Sequence, residues 1–126
     1  IGVYPETKHP SYFDGLGLSL EEPLVKALNE AGLRRREDPV FIQSFEVGNL
    51  KDLARKTKVR LIQLIDASGR PYDFAAAGDR RTYADLVTPT GLREIATYAQ
   101  GVGVHKNLIR PRDGQDRLLP ATLLPP

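Results

Sequence analysis

The strongest constraint on this chain is the order in which its apolar residues are grouped. Val40-Phe41-Ile42, Val59 to Ile65 and Gly101 to Val104 are short apolar runs bounded by breakers such as Asp38-Pro39. Such runs suit parallel strands covered on both faces. The opening residues from Ile1 read as one more. Between them, Leu20, Leu24, Leu28 and Ala31 recur at helical spacing, as do Leu50, Leu53, Ala54 and Thr57, and then Leu92, Ile95, Ala96 and Ala99. Ser19 with Glu22 three residues on reads as a capping box. Gly32 is placed to end that first helix, and Thr90 to begin the last. The order strand, helix, strand, helix, strand, loop, helix, strand predicts an α/β fold with about four parallel strands, flanking helices and right-handed crossovers. An open doubly wound sheet and part of a closed (β/α)8 barrel both satisfy it.

Polar residues stand at the carboxyl ends of all four expected strands, where both architectures place ligands. Glu6 and Lys8 end the first, Gln43 the second, Gln63 interrupts the third, and His105-Lys106 follow the fourth. Residues i and i+2 of an extended segment share a side, so Glu6 and Lys8 project together and Thr7 points away. They form either a site for a cation and an anion or a plain surface ion pair. Gln43 and Gln63 either hold a ligand hydroxyl or satisfy backbone groups. Phe45 reads first as packing, and Lys106 as a phosphate contact or a solvated lysine. Residues 66–89 carry no period but are rich in turn residues, with Tyr72, Phe74 and Tyr83 among them. They read as a long loop, either a lid over the site or an inert insertion. Ser11 to Leu18 reads as a shorter loop.

Composition removes several classes. Charged residues are 27% of the chain and hydrophobic ones 40%, which is globular composition. The net charge of +2 is interleaved rather than clustered, unlike a nucleic-acid-binding face. Arg34-Arg35-Arg36, followed at once by Glu37-Asp38, reads as a solvated helix end. With no cysteine there is no thiol nucleophile or thiolate metal site. No apolar run is long enough to span a bilayer as a helix. The glycines of Gly101-Val102-Gly103 lack the spacing of a phosphate-cradling loop.

The segment Y-P-E-T-K-H-P-S-Y-F, over Tyr4–Phe13, resembles the Y-P-E-x-K segment of the glycerophosphodiester phosphodiesterase family. F-I-Q-S-F-E, R-L-I-Q-L-I and Y-A-Q-G-V-G are similar to later family strands, in the family's order. The resemblance implies a TIM barrel that hydrolyses glycerophosphodiesters to an alcohol and glycerol 3-phosphate, using a divalent cation, Ca²⁺ or Mg²⁺, and two histidines. It implies that Glu6 is a metal ligand and Lys8 a phosphate contact, with Gln43, Phe45, Gln63 and Lys106 as further substrate-binding candidates. Carboxylate oxygen suits a hard cation, and an ammonium offers phosphate a point charge.

A complete barrel needs about 250 residues, whereas this chain has 126. The expectation is a single partial domain over 1–126, the C-terminal half of such a barrel, with 66–89 as its lid or insertion. In the family the remaining metal carboxylates and both catalytic histidines lie upstream, and neither His9 nor His105 matches them. The segment is therefore expected to hold no catalytic acid or base and to be inactive alone, its partner being the N-terminal half. The alternative is a non-catalytic half-barrel kept for binding or oligomerisation. A phospholipase D-type toxin barrel fits the Q-S-F-E and Y-A-Q-G-V-G segments less well. The long loop is similar to that of larger exported family members, which points to a periplasmic or secreted location.

Overall fold

The structure, a computed structural model, describes residues 1–120. The elements run α1 (Pro10–Gly15), α2 (Glu21–Glu30), β1 (Phe41–Ser44), α3 (Val47–Lys56), β2 (Arg60–Ile65), α4 (Tyr72–Ala76), α5 (Tyr83–Leu86), α6 (Pro89–Ile95), β3 (Gly101–Val104) and α7 (Lys106–Ile109). Strands β1, β2 and β3 form one parallel sheet in that order, with Ile42 opposite Leu61 and Gln63 opposite Val102. This is an α/β fold with a three-stranded parallel sheet and flanking helices. No described helix is long and apolar enough to cross a membrane.

The expected first strand is present as hydrogen bonds but not as a regular strand. Val3 N–H donates to Pro39 O at 3.0 Å, and Val3 O accepts from Phe41 N–H at 3.2 Å. Gln43 N–H donates to Pro5 O at 2.9 Å, and Thr7 N–H to Gln43 O at 3.1 Å. Between these bonds stands Pro5, which has no N–H to donate. The pairing therefore splits into two isolated parallel bridges, Val3 to Val40 and Glu6 to Gln43. The sheet has three regular strands, with this segment paired along the free side of β1, instead of about four.

Burial alternates along the strands. Ile42 and Ser44 of β1, with Leu61, Gln63 and Ile65 of β2, are buried beneath the helices, while Phe41, Gln43, Arg60, Ile62 and Leu64 on the other face are only half-buried. Helix α3 supplies much of the cover because Val47, Leu50 and Leu53 fall on one side of it and are buried. Thr57, in extended conformation, ends it. A buried polar chain ties the first segment to two helices. Thr7 Oγ1 donates to Asn49 Oδ1 at 2.6 Å, and Asn49 Nδ2 donates to the Glu21 carboxylate.

Several local expectations shift. Ser19 does not cap α2: Leu20 is the N-cap, and the Ser19 hydroxyl donates to the carboxylates of Glu21 and Glu22 instead of accepting a backbone N–H. Gly32, at φ 78°, does follow the end of that helix as expected. The cap of α6 is Thr88, whose hydroxyl accepts from Gly91 N–H at 3.1 Å, and Thr90 lies inside the helix. Pro89 at the first helical position explains the earlier start. The Ser11–Leu18 loop contains α1, begun by Pro10 after His9 in the left-handed region at φ 56°. The arginine triplet stays exposed beyond the helix end, where Asp38 accepts the backbone N–H groups of Arg34 and Arg35 at 2.7 and 2.8 Å.

The stretch 66–89 folds into α4 and α5, and its Phe74, Tyr83 and Leu86 join the core. Gly91 lets α6 lie against α5: a methyl group there would stand 2.3 Å from Asp85 O. Residues Leu118–Pro126 read from the sequence as a linker, and 121–126 of them lie outside the described residues.

Candidate functional site

At the carboxyl ends of the first segment, β1 and β2 lies a cavity of about 230 Å³. Its floor and rim are built by adjacent strand ends: Glu6, Lys8 and His9 from the first segment, Phe45 and Glu46 after β1, and Asp66 after β2. Arg70, Tyr72 and Tyr83 close it from the stretch that contains α4 and α5. Pairing of the first segment beside β1 sets the alternation. Thr7 turns inward and is buried, so Glu6 and Lys8 stand exposed on the other side. Neither side chain makes a hydrogen bond or ion pair among the described residues, including with the other. The surface ion pair that the sequence allowed does not form.

The aromatic wall is ordered. Phe45 meets Tyr83 edge-on, with centroids 6.0 Å apart and planes at 69°. Burial, with the nearby carboxylates of Asp66, Asp73 and Glu46, pushes the Tyr83 hydroxyl up to about 12, so it stays neutral. Glu46 is the most enclosed acid of the site. Its Oε2 accepts from Ser11 N–H at 3.1 Å and from the Ser11 hydroxyl, whereas its Oε1 is buried without a partner. Burial raises its pKa, against the hydrogen bonds from Ser11. This carboxyl anchors the corner that follows Lys8 and His9.

The chain aligns with glycerophosphodiester phosphodiesterases of three organisms. It is 26% identical, over 98% of its length, to the glycerophosphodiester phosphodiesterase GDPD6 of Arabidopsis thaliana, of which it covers 36%. It is 27% identical over 82% of its length to the Treponema pallidum glycerophosphodiester phosphodiesterase, covering 32% of that protein. For the Haemophilus influenzae enzyme of the same name the figures are 26%, 82% and 31%. The chain is a distant homologue of glycerophosphodiester phosphodiesterases. It spans about a third of the length of these relatives. No family model matches it.

In this phosphodiesterase homologue the six sequence candidates separate. Glu6, Lys8 and Phe45 line the cavity. Gln43 does not: its amide Nε2 donates to Tyr4 O at 3.2 Å and so stitches the first segment to β1. Gln63 lies on the helix side of the sheet, fully buried. Its Nε2 donates to Phe45 O at 3.0 Å and Leu64 O at 3.1 Å, and its Oε1 accepts from the Tyr98 hydroxyl at 2.9 Å. The amide is thus satisfied internally and does not reach the cavity. Lys106 is exposed at the start of α7, away from the cavity lining.

Residues that sequence reasoning passed over as site members are His9, Glu46, Asp66, Arg70, Tyr72 and Tyr83. Glu46 and Asp66 carried a usable signal, because each directly follows an expected strand end. The described residues contain no group of three or more His, Cys, Asp or Glu side chains placed to hold a metal ion. Ca²⁺ takes about six to eight oxygen ligands, so Glu6 and its described neighbours do not by themselves build the cation site that the resemblance implies. A larger, shallower groove of about 690 Å³ between α2 and Lys56 is lined by surface charges such as Glu22, Lys26 and Glu30 and lies apart from the strand ends.

Proposed function

We propose that this chain is the C-terminal half of a glycerophosphodiester phosphodiesterase barrel and supplies one wall of its active site. In this reading the complete enzyme hydrolyses glycerophosphodiesters to an alcohol and glycerol 3-phosphate. Lys8 holds a non-bridging phosphate oxygen and stabilises charge growing there. Glu6 contributes one carboxylate toward a divalent cation, Ca²⁺ or Mg²⁺, whose other ligands are not among the described residues. Phe45 borders the bound ester. The acid and base of the reaction come from the N-terminal half.

The observation that carries the reading is the unpaired Glu6 and Lys8 on one cavity, inside a stretch homologous to these phosphodiesterases. A second observation supports the barrel. A methyl group on Gly103 would stand 3.5 Å from the Tyr4 hydroxyl. In a flat sheet the first and fourth chain segments would be three spacings apart, roughly 14 Å. A tyrosine reaches across only if the sheet coils toward that face.

The test is hydrolysis of glycerophosphocholine with Ca²⁺ or Mg²⁺. The 126-residue chain is expected to give no turnover. The gene product that joins it to its upstream residues is expected to be active. Glu6→Gln and Lys8→Ala should each lower its kcat/KM by roughly 10²–10³. Turnover by the short chain alone, or full activity of the Glu6→Gln product, overturns the proposal.

A non-catalytic half-barrel that pairs with a second copy is the competing reading, favoured by the half-buried, partly apolar outer face of the sheet. Upstream residues unrelated to any phosphodiesterase, with a stable dimer in sedimentation, would establish it.

A further inference from the structure

The cavity wall opposite in sequence to Glu6 and Lys8 comes from a stretch to which the reading above gives no role. After β2 the chain turns at Gly69, which adopts φ 83°, and then meets Pro71, the N-cap of α4. Pro71 is buried, so the turn is pinned between a left-handed glycine and an anchored proline. Arg70 projects from between them into the lining of the cavity that Lys8 also lines. One guanidinium N–H donates to Asp79 O at 3.2 Å. That bond leaves most of the fork's five donors free, and Arg70 forms no ion pair with any carboxylate among the described residues.

Glu6, Glu46 and Asp66 line the same cavity, but none of them forms an ion pair with Arg70 or Lys8 among the described residues. Asp66 accepts from Ala67 N–H at 2.6 Å, and Glu46 is buried, with one oxygen held by Ser11. The remaining surface is aromatic, from Phe45, Tyr72 and Tyr83. Two cations without an ion-pair partner among the described residues, set beside rings, make a place for an anionic head on a carbon-bearing group. Because the fork suits two oxygens of one phosphate and an ammonium one oxygen, the pair discriminates phosphate esters from neutral alcohols.

We infer that Arg70 is a second phosphate-binding residue, acting with Lys8 on the oxygens of a phosphate ester and setting preference for that ester over neutral polyols. The inference rests on the proposed function, since it deepens the same site. Arg70 is exposed on a turn, so its substitution leaves the core intact.

Glycerol 3-phosphate, inorganic phosphate and glycerol are titrated into the gene product that joins the 126 residues to those upstream of them, and followed by NMR chemical shifts. Glycerol 3-phosphate should bind, inorganic phosphate more weakly, and glycerol not at all. Arg70→Ala should weaken glycerol 3-phosphate binding about 10- to 100-fold, with Arg70→Lys recovering only part of it. Wild-type affinity in Arg70→Ala, with Lys8→Ala weakened, overturns the role of Arg70 and leaves the functional reading standing. The reverse pattern removes Lys8 and keeps Arg70. Failure of that longer wild-type protein to bind glycerol 3-phosphate overturns both.

Discussion

The two faces of the sheet are finished to different degrees. On one, Ile42, Ser44, Leu61, Gln63 and Ile65 are buried under helices, and even the polar members have partners. On the other, Phe41, Gln43, Ile62 and Leu64 are half-buried, Tyr4 is exposed, and the Arg60 guanidinium lies 3.8 Å from the Phe41 ring centroid. The first face is a core. The second is left partly open among the described residues, although side chains of this size gain most when fully removed from water. The site candidates divide along the same line. Gln63, on the core face, serves the fold, whereas Glu6 and Lys8 stand on the side away from buried Thr7 and reach the cavity.

Adjacent residues of β2 give the sharpest test of this asymmetry. Leu61 is 1% exposed on the core face, and its neighbour Ile62 lies on the open one. Leu61→Ala should cost about 2–5 kcal/mol. Ile62→Ala should cost less, about 1–2 kcal/mol, since part of its side chain already meets water. Urea unfolding of both variants measures the difference. Equal losses would mean that the outer face is covered in solution, and a dependence of the Ile62→Ala loss on protein concentration would identify a second copy as the cover.

A smaller effect separates fold from site at Gln63. Gln63→Leu strands the Tyr98 hydroxyl and leaves Phe45 O without its amide donor, which should cost about 1–3 kcal/mol. Glycerol 3-phosphate binding to the folded variant should be unchanged. Phe45→Ala should show the opposite balance, with weaker binding and a smaller stability loss. A binding defect in Gln63→Leu at full stability would return that amide to the site.

Gln63 also shows where sequence reading stops. Its spacing of two from Leu61 and Ile65 put it on their face, so its burial was legible once β2 was identified. The strand-end rule left a ligand role open beside the structural one because it does not distinguish the two faces. The regular strands and helices α2, α3 and α6 were legible because each carries a run or stripe long enough to have a period. Helices α1, α4 and α5 have six, five and four residues, too short for one. The break at Pro5 was written in the sequence, but its consequence depends on which N–H the ladder needed. Arg70 and Tyr72 reach the cavity through a turn and a short helix, so no spacing rule connects them to Lys8.

The smallest effect concerns the boundary between the faces, where Glu46 holds the corner after Lys8. Burial raises the pKa of this carboxyl above its value in the unfolded chain. The sign follows directly: the folded state binds the proton more tightly than the unfolded one. Its contribution to stability is therefore fully present below the ordinary glutamate value and lost as pH rises through the raised one. Each unit of elevation corresponds to about 1.4 kcal/mol. Glu46→Gln replaces the carboxyl with a permanently neutral group of the same shape, so the variant should lack this mildly acidic slope and gain on the wild type as pH increases toward neutrality. Exposed Glu22 provides the internal control, because its hydrogen bonds from Lys56 and Ser19 lower its pKa to about 2 and give the opposite slope, with stability lost as pH falls toward that value. Melting temperatures of wild type, Glu46→Gln and Glu22→Gln across this range resolve the two. If Glu46→Gln keeps the wild-type slope, the buried carboxyl is ionised through contact with a cation beside it, and the Ser11 corner belongs to the charged part of the site.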